Sequence, residues 1–171
     1  MALPLPRIKH PEASAPMPDT PAARRTDAPA TPEARACDAL VIGGGPAGLM
    51  AADALLKAGR QVILAEAKPS LARKFLMAGK SGLNLTRIQP FAPFLAAYGD
   101  SAAPLRPMLA AMGPEDVRAW AEGLGQSCFT GSTGRLFPEA MKASPLLRAW
   151  LARLDDAGLE RHSRWRWTGW D

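Results

Sequence analysis

The feature that most constrains the fold is a run of three glycines, Gly43 to Gly45, that separates two apolar segments. Residues 37–42 before it form a short apolar run with β-branched members, which predicts a buried parallel strand. Residues 46–58 after it carry apolar or small side chains at helical spacing and precede Gly59, which predicts a helix with a C-terminal glycine. Residues 61–65 predict a second strand. Together these elements predict one right-handed βαβ unit.

The glycine run belongs to a longer pattern, because residues 43–48 satisfy Gly-x-Gly-x-x-Gly directly after a strand and at the start of a helix. In that context the first glycine permits the tight turn, the second lets a pyrophosphate approach the backbone, and the third lets helix and strand pack closely. The amino end of the helix offers unpaired N–H groups and a positive dipole to phosphate oxygens. The candidate binding residues of this turn are Gly43, Gly44, Gly45, Pro46, Ala47 and Gly48.

An acidic residue, Glu66, ends the second predicted strand 23 positions after Gly43. A carboxylate at that place accepts hydrogen bonds from ribose hydroxyls and would repel a 2′-phosphate. The pattern therefore favours an adenosine with free ribose hydroxyls, as in FAD or NAD, over NADP. The alternative is a glycine turn that only closes a βαβ unit, with Glu66 as a solvated strand end.

The flanking regions differ in composition. Residues 1–36 are rich in proline and alanine and poor in large apolar side chains, which predicts a disordered N-terminal tail. Further along, helices are predicted over 114–123 and 144–157. The chain then alternates Trp and Arg over 161–171, which predicts a half-buried strand.

Composition excludes several classes of protein. Two cysteines 91 positions apart and two histidines, His10 and His162, do not make a zinc site of ordinary spacing or a disulfide framework. No metal is therefore expected, and a reducing cytoplasm fits the cysteine usage. No segment has the apolar length of a secretory signal or a membrane span, so no membrane partner is expected.

The chain is basic, with 21 Lys+Arg against 16 Asp+Glu and a net charge of +5. Because this excess is spread along the sequence, it is weak support for a phosphate-binding face, and nucleic acid is not the expected partner. The Arg/Trp alternation of residues 161–170 keeps a basic nucleic-acid-binding module as a less favoured alternative.

Residues downstream of Glu66 carry a family resemblance. They read Leu71-Ala-Arg73-Lys74-Phe-Leu-Met-Ala-Gly79-Lys-Ser-Gly-Leu-Asn84-Leu-Thr86, and then Gly134-Arg-Leu-Phe-Pro138 with Lys142-Ala-Ser144. With the glycine fingerprint, this combination resembles the bacterial BaiN-like or aminoacetone-oxidase-like NAD(P)/FAD-dependent oxidoreductases, and it is similar to their N-terminal portion over residues 37–171.

The resemblance implies a fold and a site. The fold is α/β, a truncated Rossmann-like FAD/NAD(P)-binding βαβ domain with an added helical segment, and residues 37–171 run into the start of a substrate-domain region. The glycine turn would hold the FAD pyrophosphate and Glu66 the adenosine ribose. Four further residues would line the same cofactor: Arg73, Lys74, Gly79 and Asn84.

The same resemblance shows departures and open positions. Arg135 either faces the cofactor or only caps a loop. Ala72 stands where the family usually has glycine, and Leu83 stands at a cysteine position, so any thiol role is absent here.

The expected function is the FAD-binding portion of a flavin-dependent oxidoreductase that binds the ADP half of FAD. The small-molecule substrate is unknown, and NAD(P)H is an open choice of reductant. No residue is assigned as a catalytic acid, base or nucleophile. The alternative is a truncated, catalytically inactive nucleotide-binding remnant, because the segments that complete such a flavoprotein are not in this sequence.

Overall fold

The computed structural model describes residues 6–9, 35–78 and 82–170, the first of these by its backbone alone. The chain divides into two compact units, one of Met1–Leu71 with Gly158–Asp171 and the other of Ala72–Ala157. None of the helices in the described ranges combines the length and apolar composition that a membrane crossing needs.

The elements of the two units follow one another along the chain. In order they are β1 (Pro6–Lys9), β2 (Ala39–Ile42), α1 (Pro46–Lys57), β3 (Val62–Glu66), α2 (Arg73–Ala78), β4 (Thr86–Arg87), α3 (Phe91–Ala96), a 3-10 turn (Gly99–Ser101), α4 (Ala102–Ala111), α5 (Pro114–Glu122), β5 (Cys128–Thr130), β6 (Arg135–Pro138), α6 (Ala143–Asp156), β7 (Glu160–Ser163) and β8 (Arg166–Trp170).

The first unit contains a three-stranded parallel sheet of order β2-β3-β7. The central strand β3 is buried on both faces from Val62 to Ala65, as expected of a parallel strand covered by other layers. Helix α1 makes the crossover from β2 to β3, and its Leu49 and Ala52 are fully buried. The predicted α/β class with a Rossmann-like βαβ unit is confirmed.

The end of α1 explains how the chain turns back into the sheet. Gly59 has φ +71, a left-handed conformation that glycine adopts without steric cost. Its N–H donates to the carbonyl of Leu56 at 2.9 Å, and the Arg60 N–H donates to that of Leu55 at 3.1 Å. These bonds satisfy carbonyls that the helix end leaves open, so the helix stops in time for β3 to begin.

The predicted strand over 161–171 is two strands in the structure. Strand β7 joins the parallel sheet, whereas β8 pairs antiparallel with β1. Arg164, between them, has φ +61, and this left-handed residue breaks the extended chain. The alternation of Trp and Arg therefore does not run through one continuous strand.

Strand β1 lies within the range expected to be a structureless tail. It pairs with β8 in a register that sets Arg7 opposite Gly169 and Ile8 opposite Trp167. The physical reason is that an edge strand presents unpaired N–H and C=O groups, which a short extended segment satisfies even when its composition favours disorder. The rest of the predicted tail up to residue 34 lies outside the described residues.

The second unit combines helices with an antiparallel sheet of order β4-β6-β5. Helices α5 and α6 confirm the helices predicted over 114–123 and 144–157 to within a residue at each end. Helix α6 buries one stripe of side chains at helical spacing. The stripe consists of Ala143, Leu146, Leu147, Trp150 and Leu154. The Trp150 indole meets that of Trp120 edge to face, with ring centroids 4.9 Å apart.

Truncation of the α6 stripe tests this core. Leu146 has 0% exposure, so Leu146→Ala is expected to lower the free energy of unfolding by about 2–4 kcal/mol through lost burial and a residual cavity. Arg148→Ala, at an exposed position of the same helix, is expected to change it by less than about 0.5 kcal/mol. Urea denaturation of both variants measures the difference, and equal effects would contradict the assignment of this stripe to the core.

Candidate nucleotide-binding site

The glycine turn after β2 is built into the sheet. Gly43 has φ +99, in the region that side chains rarely adopt, and its N–H donates to the Ala65 carbonyl at 2.8 Å. The turn therefore begins as a continuation of the β2–β3 ladder and then bends sharply. A residue with a Cβ atom would be strained at position 43.

Two glycines in the turn are surrounded by atoms. A Cβ atom on Gly48 would lie 1.9 Å from the Gly43 carbonyl oxygen, so α1 lies against the turn at a distance that only glycine permits. A Cβ atom on Gly44 would lie 2.7 Å from Cγ of Leu71, which packs over the turn from the loop after β3. Both positions serve close packing.

The other two glycines face open space. No heavy atom lies within 4 Å of the place that a Cβ atom would take on Gly43 or on Gly45. Gly45 is the N-cap of α1, and its carbonyl accepts the first helical bond, from the Leu49 N–H at 2.9 Å. The amides of the first helical turn have no partner inside the helix, so this open face lies at the positive end of the α1 dipole.

Glu66 points at this turn. Its Oε2 accepts a hydrogen bond from the Gly44 N–H at 2.8 Å, and its Oε1 accepts one from the Lys68 N–H at 2.7 Å. The side chain is half-buried at the end of the central strand. Because each carboxylate oxygen has two lone pairs, one backbone bond to each oxygen leaves acceptor capacity for a hydroxyl ligand.

The predicted residues of the turn differ in what their backbone groups can contribute to binding. The Gly44 N–H is bonded to Glu66, so this glycine contributes to the site through its carboxylate partner and its missing side chain. Pro46 has no N–H and occupies the first position of α1, where a fixed φ suits a helix start.

The remaining predicted residues belong to the second unit. Arg73 and Lys74 begin α2 and are exposed, and Asn84 is exposed in the loop before β4. Gly79 lies outside the described residues. The structure thus brings the glycine turn and Glu66 together within one unit, and the roles of Arg73, Lys74, Gly79 and Asn84 stay predictions.

Sequence reasoning missed a third segment beside this site. The N–H of Trp165 donates to the Glu66 carbonyl at 2.9 Å, and the N–H of Arg164 donates to the Lys68 carbonyl at 3.1 Å. The turn between β7 and β8 is therefore bonded to the end of β3 and to the loop that follows it. No local sequence signal points to this contact, because it depends on the parallel pairing of β3 and β7, which brings the carboxyl ends of both strands to one edge of the sheet.

A cluster of aromatic and charged side chains covers part of β7. The His162 ring stacks on the Trp165 ring with centroids 3.9 Å apart, and the Arg35 guanidinium lies 5.8 Å from the Trp165 centroid. His162 Nε2 donates to Glu160 Oε1 at 2.6 Å, and Arg35 also contacts Glu160. Since the Trp165 ring stacks on His162, it is less available to nucleobases than the nucleic-acid alternative requires.

The chemistry of the rest of the described chain is limited. In residues 35–78 and 82–170, His, Cys, Asp and Glu side chains form no group of three or more that could hold a metal ion. Burial raises the pKa of the Cys128 thiol, with the nearby Glu122 carboxylate adding to the shift, so this cysteine is protonated at neutral pH. Phosphate and ribose binding around Glu66 stays a prediction.

The parallel sheet, the glycine turn and the acid that ends the second strand define a Rossmann-like domain. The chain belongs to the family of the HI0933-like protein Rossmann domain, whose family model matches residues 37–171. This match confirms the resemblance to a family of FAD-dependent oxidoreductases. No curated protein matches the chain.

Several solved structures are similar to part of this chain. The open conformation of a flavocytochrome c3 fumarate reductase is 24% identical with a TM-score of 0.55, over 73% of this chain and 26% of that chain. THI4 of Thermovibrio ammonificans is 19% identical with a TM-score of 0.44, over 72% of this chain and 37% of that chain. Glycine oxidase from Bacillus cereus ATCC 14579 is 18% identical with a TM-score of 0.36, over 73% of this chain and 45% of that chain. The chain thus spans less than half of each of these proteins.

Two glycine substitutions distinguish the packed positions of the turn from the open ones. Gly48→Ala is expected to lower the free energy of unfolding by about 2–3 kcal/mol, because its methyl group would meet the Gly43 carbonyl. Gly45→Ala is expected to cost less than about 1 kcal/mol, the price of a poorer N-cap. Chemical denaturation measures both, and a Gly45→Ala loss as large as that of Gly48→Ala would contradict the open face.

Acid titration tests the cluster on β7. The hydrogen bond from His162 holds the pKa of Glu160 below its ordinary value, and Arg35 acts in the same direction. A lowered pKa in the folded state gives stability that is present above the unfolded pKa and is lost as the pH falls through the folded one. Glu160→Gln is therefore expected to be less stable than the unaltered chain at neutral pH, by about 1 kcal/mol or less because the pair is half-exposed.

That deficit is expected to shrink as the pH falls from the ordinary pKa of a glutamate through the lowered pKa of Glu160, because the carboxyl group then becomes protonated in the unaltered chain as well. Urea denaturation at neutral and at acidic pH measures the two values, with Glu122→Gln at an exposed position of α5 as the control. A deficit that is independent of pH would show that the cluster does not act through the charge of Glu160.

Proposed function

We propose that this chain binds the ADP half of FAD at the Gly43–Gly48 turn and is the FAD-binding portion of a flavin-dependent oxidoreductase. The observation that carries the proposal is the position of Glu66, whose carboxylate accepts one bond from the Gly44 amide of the turn and one from the Lys68 amide of the loop after β3. Membership of the HI0933-like family supports the choice of FAD among adenine dinucleotides.

The diphosphate would lie over the open face of the turn. Gly45 leaves room there for phosphate oxygens to approach the backbone, since no atom lies within 4 Å of its absent side chain. The first-turn amides of α1, such as those of Ala47 and Gly48, supply donors and the positive end of the helix dipole. An anion at this place needs no side-chain cation to be held.

The ribose would lie at the end of β3. The Glu66 carboxylate has a fixed plane because two backbone amides hold it, and it keeps lone pairs for the ribose hydroxyls. A bond to a charged acceptor contributes about 1.5–3 kcal/mol, so this contact would select for a free hydroxyl. The same charge repels a 2′-phosphate, which is why FAD fits and NADP does not.

Residues of the second unit would contact the cofactor beyond the adenosine. Arg73 and Lys74 are exposed cations, and a guanidinium binds phosphate oxygens in a bidentate way whereas an ammonium acts as a point charge. Asn84 and Gly79 complete this proposed set. We also propose that residues 37–171 are a partial FAD-binding domain that leads into a substrate domain.

The proposed activity is that of an oxidoreductase that acts on an unidentified small molecule. When bound, the flavin supplies the redox chemistry, with NAD(P)H as one candidate reductant, and the protein supplies orientation and electrostatics. In this chain Glu66 orients the adenosine, and the glycine turn fixes the diphosphate.

Nucleotide binding to the 171-residue chain tests the proposal. We expect ADP and FAD to bind, and Gly45→Ala to weaken ADP binding at least about tenfold by blocking the phosphate, while unfolding changes little. Isothermal titration with ADP and pyrophosphate measures this, and Gly131→Ala in the second unit is the control. A chain that binds neither ADP nor FAD, or binding that Gly45→Ala leaves unchanged, would overturn the proposal.

A second comparison isolates Glu66. ADP is expected to bind more tightly than 2′-deoxy-ADP to the unaltered chain, because Glu66 accepts a bond from the 2′-hydroxyl. In Glu66→Gln that preference is expected to become several times smaller. Because the comparison is made within each variant, a general loosening of the turn cancels out. An unchanged preference would remove Glu66 from the ribose site.

A further inference from the structure

The turn between β7 and β8, residues 163–165, is held in an unusual way. Arg164 has φ +61, a left-handed conformation that costs stability in a residue with a side chain. Its N–H and that of Trp165 donate to the carbonyls of Lys68 and Glu66 at 3.1 and 2.9 Å. Strained residues that the surrounding structure holds in place are concentrated at binding and catalytic sites.

The position of this turn follows from the strand order. In the sheet β2-β3-β7, β2 ends at the glycine turn, β3 ends at Glu66, and β7 ends at the turn that carries Arg164. Neighbouring strands are about 4.8 Å apart, and ligands of open parallel sheets lie across the carboxyl ends of the strands. In a nucleotide, the diphosphate, the ribose and the base follow one another in the same order as these three strand ends follow one another across the sheet.

We infer that Arg164 lies against the adenine base, so that the turn between β7 and β8 forms the base side of the nucleotide site. The inference rests on the proposed function and adds a specificity-determining residue to it. Of the two side chains at the apex of the turn, the Trp165 ring is already stacked on His162. The Arg164 side chain is exposed and makes no ion pair or hydrogen bond within the part of the chain that the structure describes.

The chemistry of the guanidinium suits this place. It is planar and weakly hydrated, and it stacks on aromatic faces, so a flat purine is a fitting partner. The left-handed backbone explains why a non-glycine residue is costly here. Glycine at position 164 would relieve the strain but could not contact the base, so stability and nucleotide affinity are expected to oppose each other at this residue.

Substitution of Arg164 tests the inference. Arg164→Gly is expected to leave thermal stability unchanged or raised, because the residue is exposed and glycine fits its conformation. ADP affinity is expected to fall about three- to thirtyfold, the range of a cation–π contact, whereas pyrophosphate, which has no base, is expected to bind as before. Arg166→Ala, at an exposed position of β8, is the control and is expected to leave ADP affinity unchanged.

The outcomes are separable. ADP binding that is equal in the unaltered chain and in Arg164→Gly would overturn this inference and leave the proposed function intact. A parallel loss of ADP and pyrophosphate affinity would also overturn it, because the side chain would then act on the phosphates. An unaltered chain that does not bind ADP would overturn the inference together with the proposed function.

Discussion

The first unit is organised around the carboxylate of Glu66. Its two oxygens hold the Gly44 and Lys68 amides, and a hydrogen bond to a charged acceptor is about twice as strong as one between neutral groups. The carboxylate lies at the end of β3, the central strand, which is buried from Val62 to Ala65, so the interior of the sheet sets its position. The glycine turn, the loop after β3 and, through Lys68, the turn at Arg164 are all aligned by this one group.

Apart from Glu66, the shape of the candidate site is set mainly by backbone groups and by the absence of side chains at the glycines. Gly48 permits contact between α1 and the turn, Gly44 gives Leu71 its place, and Gly45 leaves a face free. In the proposed function, such a surface would bind a phosphate through backbone amides and the helix dipole. Selectivity for the nucleotide would then come from side chains at the strand ends, where Glu66 lies.

Local patterns were sufficient to predict the βαβ unit. The apolar run into Ile42, the glycines and the helical spacing up to Gly59 all act within one element or between neighbours, so the sequence states them directly. What it could not state depends on pairing between distant segments. The strand at Pro6–Lys9 forms because it pairs with β8, and the bond between Gly44 and Glu66 forms because β2 and β3 lie side by side. The break in the extended chain at Arg164 occurs because the residues on its two sides pair in two separate sheets.

The candidate site therefore has one part that is local in the chain and one part that comes from a distant strand. The glycine turn and Glu66 come from one continuous βαβ segment, which forms through short-range contacts. Strand β7 returns to the sheet only after the whole second unit, Ala72–Ala157, has been traversed, and that long-range pairing carries a larger entropic cost. The proposed phosphate contact therefore needs only this local segment, whereas the proposed base contact depends on the pairing of β7. In the proposed function, adenosine selectivity would thus depend on the completed sheet, and diphosphate affinity on the turn alone.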